Sequence, residues 1–128
     1  MLKAKDIMTY DVTTISPEAT LVDAIELLLA KEISGMPVVD ETGKIIGLIS
    51  EKDVINFAFS GHLHNTKVRE AMSTELTCFS SDTSIDKIAL AIGQYQFRRV
   101  PIIEEGKPIG IISRRDILRI ALKLGHLD

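Results

Sequence analysis

The chain has 128 residues, 45% of them hydrophobic and 26% charged, with a formal charge of -3; such a chain buries its own core and is far from the composition of a disordered segment. The acidic balance argues against broad binding to nucleic acid, which needs a dense basic surface to displace counterions from phosphates. Cys78 is the only cysteine, so no intrachain disulfide is expected and a reducing compartment, the cytoplasm, fits best. No apolar run approaches the ~20 residues that cross a bilayer, and the start, Met1-Leu2-Lys3-Ala4-Lys5-Asp6, has no signal-peptide core. Neither membrane insertion nor secretion is expected.

From the N-terminus, Val12-Thr13-Thr14-Ile15 reads as a short leading strand. Leu21, Ala24, Ile25 and Leu28 follow the i, i+3, i+4, i+7 rule and predict a helix with one apolar face, with Thr20 and Asp23 as a capping-box start. Met36-Pro37-Val38-Val39 and Lys44-Ile45-Ile46-Gly47-Leu48-Ile49 read as a hairpin around Asp40-Glu41-Thr42-Gly43. At Gly47-Leu48-Ile49-Ser50-Glu51-Lys52-Asp53 a strand hands over to a helix, and Ser60-Gly61-His62-Leu63-His64-Asn65-Thr66 follows as a polar linker. The same succession then returns. Leu76-Thr77-Cys78-Phe79 supplies a leading strand, Ile85, Ile88, Ala89 and Ile92 a helix face, and Thr83 with Asp86 its predicted cap. Val100-Pro101-Ile102-Ile103 and Ile109-Gly110-Ile111-Ile112 flank the turn Glu104-Glu105-Gly106-Lys107, and a last helix runs from Arg114 towards Leu124.

A shift of 64 residues carries Met8 onto Met72, Thr13 onto Thr77, Ser16 onto Ser80 and Pro37 onto Pro101. Allowing for one extra residue at Thr42, Gly43 meets Gly106, Gly47 meets Gly110, Ser50 meets Ser113 and Asp53 meets Asp116. One strand-helix-strand-strand-helix unit is therefore present twice: repeat 1 over 1–59, a linker over 60–66 and repeat 2 over 67–128. The predicted fold class is α/β (α+β), with two tandem β-α-β-β-α repeats related by a pseudo-two-fold axis.

The element Gly-x-Ile-Ser-x-x-Asp carries the chemistry. A hydroxyl and a carboxylate three residues apart at a helix start share one face, about one turn apart. On the element alone, a capping box that satisfies free backbone N–H groups is the favoured reading. The functional reading has the carboxylate accept the hydroxyls of a ribose while the serine and the helix N-terminus face a phosphate. The two roles share a geometry, so capping does not exclude binding. Elsewhere, His62 and His64 lack a third ligand at a convincing spacing, Cys78 reads as a small buried residue, and Met8 and Met72 read as core filling. No Walker loop or nucleophile elbow is present.

The chain resembles a pair of CBS domains, the tandem unit called a Bateman module. The resemblance is carried by Pro37-Val38-Val39-Asp40 and Pro101-Ile102-Ile103-Glu104, by the Gly47 and Gly110 hairpins, and by the two Ser-x-x-Asp elements in the same order twice. It implies two sheets facing each other across two clefts, pairing of modules into a disc of four repeats, and a regulatory role without catalysis. The ligand it implies is AMP, ADP or ATP, with S-adenosylmethionine or NAD as alternatives and no required cofactor.

Residue by residue, the resemblance implies that Asp53 and Asp116 hold ribose, with Ser50 and Ser113 just upstream. The leading backbone near Val12-Thr13 and Leu76-Thr77 would meet the adenine edge, with Met36 and Val100 near its faces. Arg98 and Arg99 would reach phosphate, joined by Arg114-Arg115 where the first copy has Glu51-Lys52; Ser34 and Gly35 stand opposite Arg98 and Arg99, so unequal sites are expected. The alternative for the arginines is a solvated charge pair at a strand edge. The expected function is nucleotide sensing on behalf of an unidentified regulated protein in trans, against the alternative of a structural dimerisation module with empty clefts. A homodimer is expected, with the runs Ile117 to Leu124 and Val54 to Phe57 as interface stripes.

Overall fold

The computed structural model of the chain describes residues 1–95 and 97–125. Its elements are α1 (Ala4–Ile7), α2 (Leu21–Ala30), β1 (Gly35–Val39), β2 (Ile45–Ser50), α3 (Glu51–Ile55), α4 (Val68–Ala71), α5 (Ile85–Tyr95), β3 (Arg99–Glu104), β4 (Lys107–Ser113) and α6 (Arg114–Gly125). They form two compact units, one continuous over Thr13–Leu76 and one that joins Met1–Val12 to the chain from Thr77 onwards.

In the continuous unit β1 and β2 pair antiparallel, from Gly35 opposite Ser50 to Val39 opposite Ile45, with an irregularity between Val38 and Val39. The predicted leading strand contracts to one residue. Ile15 N–H donates to the Pro37 carbonyl at 3.1 Å and the Ile15 carbonyl accepts from Val39 N–H at 3.0 Å. Then the chain turns away at Ser16, whose Oγ accepts from Glu18 N–H at 3.1 Å. On the other edge Ser73 exchanges both backbone bonds with Leu48, each at 2.9 Å. Helix α2 starts as predicted, with Thr20 Oγ1 accepting from Asp23 N–H at 3.2 Å and Asp23 Oδ2 accepting from Thr20 N–H at 3.0 Å. Its face of Leu21, Ala24 and Leu28 meets Met36, Val38 and Ile49 in one core, which Val68 of α4 completes. Burying each large aliphatic side chain contributes about 1.5–3 kcal/mol.

The second unit repeats the plan. Phe79 bridges Ile102 on one edge, Thr9 bridges Ile111 on the other, and β3 pairs with β4 between them. The turn is tighter than in the first unit, with Glu105 at φ 53° and Gly106 at φ 79°, the left-handed pair that a two-residue hairpin needs and that glycine adopts without strain. The extra residue of the first hairpin is absorbed by Asp40, whose Oδ1 accepts from Thr42 N–H at 2.9 Å and Lys44 N–H at 3.1 Å. The cap expected from Thr83 and Asp86 sits one residue later: Ser84 precedes α5 and its Oγ accepts from Lys87 N–H at 3.4 Å. The shift of 64 residues indeed puts Ser84 on Thr20 and Lys87 on Asp23, and an ammonium cannot accept the return bond from the cap N–H.

The core of this unit gathers Ile85, Ile88, Ile92, Val100, Ile102 and Ile112, and also Ala4 and Met8 from the N-terminal segment. That segment is tied in by Ala4 N–H to the Thr83 carbonyl at 2.8 Å and Ile85 N–H to the Leu2 carbonyl at 3.0 Å. In the continuous unit the chain after Asn65 does the same, with Leu21 N–H to Thr66 carbonyl at 3.0 Å and Val68 N–H to Ala19 carbonyl at 2.8 Å. The compact units and the sequence repeats thus divide the chain differently, because each hairpin closes on a segment that precedes the other repeat's leading run. No helix among the described residues is long and apolar enough to cross a membrane.

Candidate functional site

Both Ser-x-x-Asp elements stand where a strand of the sheet runs directly into a helix. Ser50 closes β2 in extended backbone, φ -127° and ψ 169°, and caps α3. Asp53 Oδ2 accepts from Ser50 N–H and from Ser50 Oγ–H, both at 2.9 Å, while Asp53 N–H donates to Ser50 Oγ at 3.4 Å. At the head of α6, Asp116 Oδ2 accepts from Ser113 N–H at 2.8 Å and Ser113 Oγ–H at 3.0 Å, and Asp116 N–H donates to Ser113 Oγ at 3.2 Å. All four residues are half-buried. The capping geometry is therefore realised in both units, and it consumes one oxygen of each carboxylate.

The second oxygens differ. Asp116 Oδ1 accepts from Arg119 Nη1 at 3.2 Å, whereas Asp53 Oδ1 carries no hydrogen bond among the described residues. Sequence reasoning missed Arg119; its i, i+3 spacing from Asp116 was the available signal.

The remaining expected site residues fall in two groups. Arg98 holds the helix start through its backbone, its carbonyl accepting from Arg114 N–H at 2.9 Å, as the Ser34 carbonyl does from Glu51 N–H at 2.9 Å. The Arg98 and Arg115 side chains are exposed, and Arg99 is half-buried directly across from Ser113 in the β3–β4 register. Val12, Thr13, Leu76 and Thr77 are half-buried. Met36 and Val100, by contrast, are 0% and 1% exposed and pack in the two cores.

A surface groove of about 580 Å³, lined among others by Ile15, Pro17, Glu18, Asp40 and Glu41, lies at the turn end of the β1–β2 hairpin, away from Ser50. Lys67 holds the Glu18 carboxyl below its ordinary range through a side-chain hydrogen bond, and the Thr42 hydroxyl does so for Asp40. An ionised acidic groove repels phosphate, and none of the expected ligand-binding residues lines it. Cys78 is half-buried, and burial pushes its thiol up, which makes it a poor nucleophile. His62 and His64 are exposed in the linker, and no three metal-binding side chains gather among the described residues.

The apolar stripes also sort themselves out. Helix α6 buries no residue fully; Ile117 and Ile120 pack on the core while Leu118 and Leu122 are 66% and 68% exposed. The stripe expected over Val54 to Phe57 divides: Val54 is in the core and Phe57 packs against it, because α3 is a single short turn pressed on the sheet, and only Ile55 and Asn56 face outward.

The fold and the paired strand-to-helix elements define a tandem module of two α/β repeats, each with a hydroxyl and a carboxylate at the head of the helix that follows its hairpin. The CBS domain model matches residues 4–60 and again 68–123; the chain belongs to the CBS domain family, as a tandem pair. It is 31% identical over 118 residues to the CBS domain-containing protein YhcV of Bacillus subtilis, covering 91% of this chain and 84% of that protein. The crystal structure of the Vibrio cholerae protein designated AcuB superposes with a TM-score of 0.88 at 28% identity, over 99% of this chain and 95% of that one. CBSX2 of Arabidopsis thaliana, crystallised in complex with AMP, superposes with a TM-score of 0.87 at 26% identity over 98% and 99% of the two chains.

Proposed function

We propose that the chain is a regulatory module that binds an adenine nucleotide, AMP, ADP or ATP, and acts on a partner protein in trans. The observation that carries this reading is the capped carboxylate at both strand-to-helix junctions, Asp53 beside Ser50 and Asp116 beside Ser113. The AMP complex of the similar CBSX2 chain supports the same ligand class. Capping fixes each carboxylate through Oδ2, so Oδ1 is the atom that meets ribose hydroxyls in charge-assisted hydrogen bonds. The backbone at Val12-Thr13 and Leu76-Thr77 reads the adenine edge, and Arg98, Arg99 and Arg115 take the phosphate.

Binding, not catalysis, is the role this chemistry favours. The Ser50 hydroxyl gives its hydrogen to a carboxylate already engaged by a backbone N–H, an arrangement that fixes the serine rather than activating it. The module works in the cytoplasm as a homodimer, a reading supported by its lone half-buried cysteine and by the outward Leu118 and Leu122 of α6.

Thermal melting with adenosine, AMP, ADP, ATP, S-adenosylmethionine and NAD tests the proposal. A ligand at 100 times its Kd adds about 2.7 kcal/mol of stability, and a melt that none of the six shifts would remove the reading. The exposed α6 face favours one alternative, a dimerisation module without a ligand; an unshifted melt together with a dimer in sedimentation selects it.

A further inference from the structure

We propose that Arg119 is a positioning residue that competes with ribose for the Asp116 carboxylate, making the two ribose-binding carboxylates unequal, with Asp53 the readier acceptor. The inference rests on the reading of Asp53 and Asp116 as ribose-binding groups. It starts from helix length. Helix α6 runs on to Gly125, so position 119 lies inside it and faces position 116 one turn back. Helix α3 stops at Ile55, and the residue matching Arg119 is the neutral Asn56 at its C-cap.

The consequence is visible atom by atom. Ser113 N–H and Oγ–H both point at Asp116 Oδ2, and the Arg119 guanidinium takes Oδ1 at 3.2 Å. A ribose diol donates two hydrogen bonds and needs acceptor lone pairs on that same outer oxygen. At Asp116 it must displace or share with a guanidinium, and the cation also draws down the carboxylate's strength as an acceptor. At Asp53 the outer oxygen has no such competitor among the described residues. The Arg119 side chain is 68% exposed and that of Asp116 19%, so the guanidinium is released into water at small cost. The expected penalty is therefore about two- to fivefold in affinity, the range of an exposed ion pair, and salt screens it.

The test uses the full chain carrying Asp53→Asn, which leaves Asp116 as the intact carboxylate, titrated calorimetrically with adenosine and with 2′,3′-dideoxyadenosine, which lacks the diol. Adding Arg119→Asn is expected to tighten adenosine about two- to fivefold and to leave dideoxyadenosine unchanged, while Arg119→Lys, which keeps a cation, stays near Arg119. If Asp53→Asn abolishes adenosine binding, its restoration by Arg119→Asn supports the inference and its persistent absence overturns it. Unchanged or weaker adenosine binding after Arg119→Asn overturns it as well, and an equal gain for dideoxyadenosine would show a general structural effect instead. The underlying reading is tested separately: an unsubstituted chain that binds no adenosine removes that reading, and the role of Arg119 with it.

Discussion

Gly110 lies directly beneath Met8: a Cβ at position 110 would stand 2.7 Å from the Met8 Cγ and 3.2 Å from its Cβ. The counterpart is Gly47, where a Cβ would meet the Met72 Sδ at 2.6 Å and the Ser73 carbonyl oxygen at 3.1 Å. Both glycines therefore exist to let a neighbouring segment lie flat on the second strand of its hairpin. Met8 is 6% exposed and has little room to retreat. Gly110→Ala is expected to cost about 1–3 kcal/mol of stability in urea unfolding, the usual range for overpacking. In a Met8→Ala background the same change should cost less, so a double-mutant cycle reports coupling; strictly additive losses would mean that alanine fits without moving Met8.

Acid should loosen the same segments. Glu18 is held below its ordinary range first by the hydrogen bond from Lys67 at 2.8 Å, with Arg69 3.0 Å away. Asp82 is lowered first by its hydrogen bond from Lys5 at 3.0 Å. A carboxylate whose folded pKa is depressed contributes stability that is complete above its unfolded value, about 4, and lost as pH falls through the lower folded value. The melting temperature is expected to fall below about pH 5, and Glu18→Gln should flatten part of that slope. Lys5 has the opposite sign: Asp82 raises it above 10.5, so its contribution persists at neutral pH and goes only in strong alkali. All these groups are exposed, and added salt at pH 7 should narrow the gap between Glu18→Gln and the unsubstituted chain.

Much of the fold was legible because periodicity encodes burial directly. Of the residues the helix rule selects, Leu21, Ala24, Leu28, Ile85, Ile88 and Ile92 are buried, while Ile25 and Ala89 are half-buried. The leading strands were overread, since strand length depends on the partner across the sheet, and only Ile15 and Phe79 find one before the chain turns. Helices α1 and α4 have four residues each, too few for any period to register. The exchange of closing segments between the repeats is non-local and leaves no local pattern. Ser50, Asp53, Ser113 and Asp116 were visible from spacing, but the spacing is the same for a cap and for a ligand site; the structure shows the cap, which engages one oxygen of each carboxylate.

Separating those uses calls for different substitutions. Ser50→Ala and Ser113→Ala remove the oxygen that accepts from the Asp53 and Asp116 N–H groups, and each is expected to cost about 1 kcal/mol of stability. Asp53→Asn and Asp116→Asn retain an acceptor but lose the charge, so stability should fall less while nucleotide affinity falls about 10- to 100-fold per site. Calorimetric titration beside urea unfolding resolves the two. Equal nucleotide affinity in the unsubstituted chain and the double variant would leave capping as the whole function of these aspartates.

The outward face of α6 predicts assembly. Leu118 and Leu122 stand one turn apart and two-thirds exposed, and an apolar stripe on a regular helix is the kind of surface that two copies cover together. Sedimentation at micromolar concentration is expected to give a homodimer, and Leu118→Glu with Leu122→Glu to give the 14.1 kDa monomer. A chain that sediments as a monomer before substitution counts against the stripe as an interface.

The arginines at the start of β3 offer a chemical test of the phosphate end. Arg98 is exposed and Arg99 half-buried opposite Ser113, while the first copy has Ser34 and Gly35 at the matching places. If these guanidinium groups meet a phosphate, Arg98→Ala with Arg99→Ala should weaken AMP about 10-fold or more and leave adenosine nearly unchanged, because only AMP offers the anion. Titration of both ligands against both proteins separates the outcomes. Equal losses for AMP and adenosine would point to damage at the edge of β3, where Arg98 supplies the carbonyl that holds Arg114 N–H. No change for either would make the pair a solvated surface feature, and a ligand without phosphate, such as S-adenosylmethionine, would then fit the site better than a nucleotide.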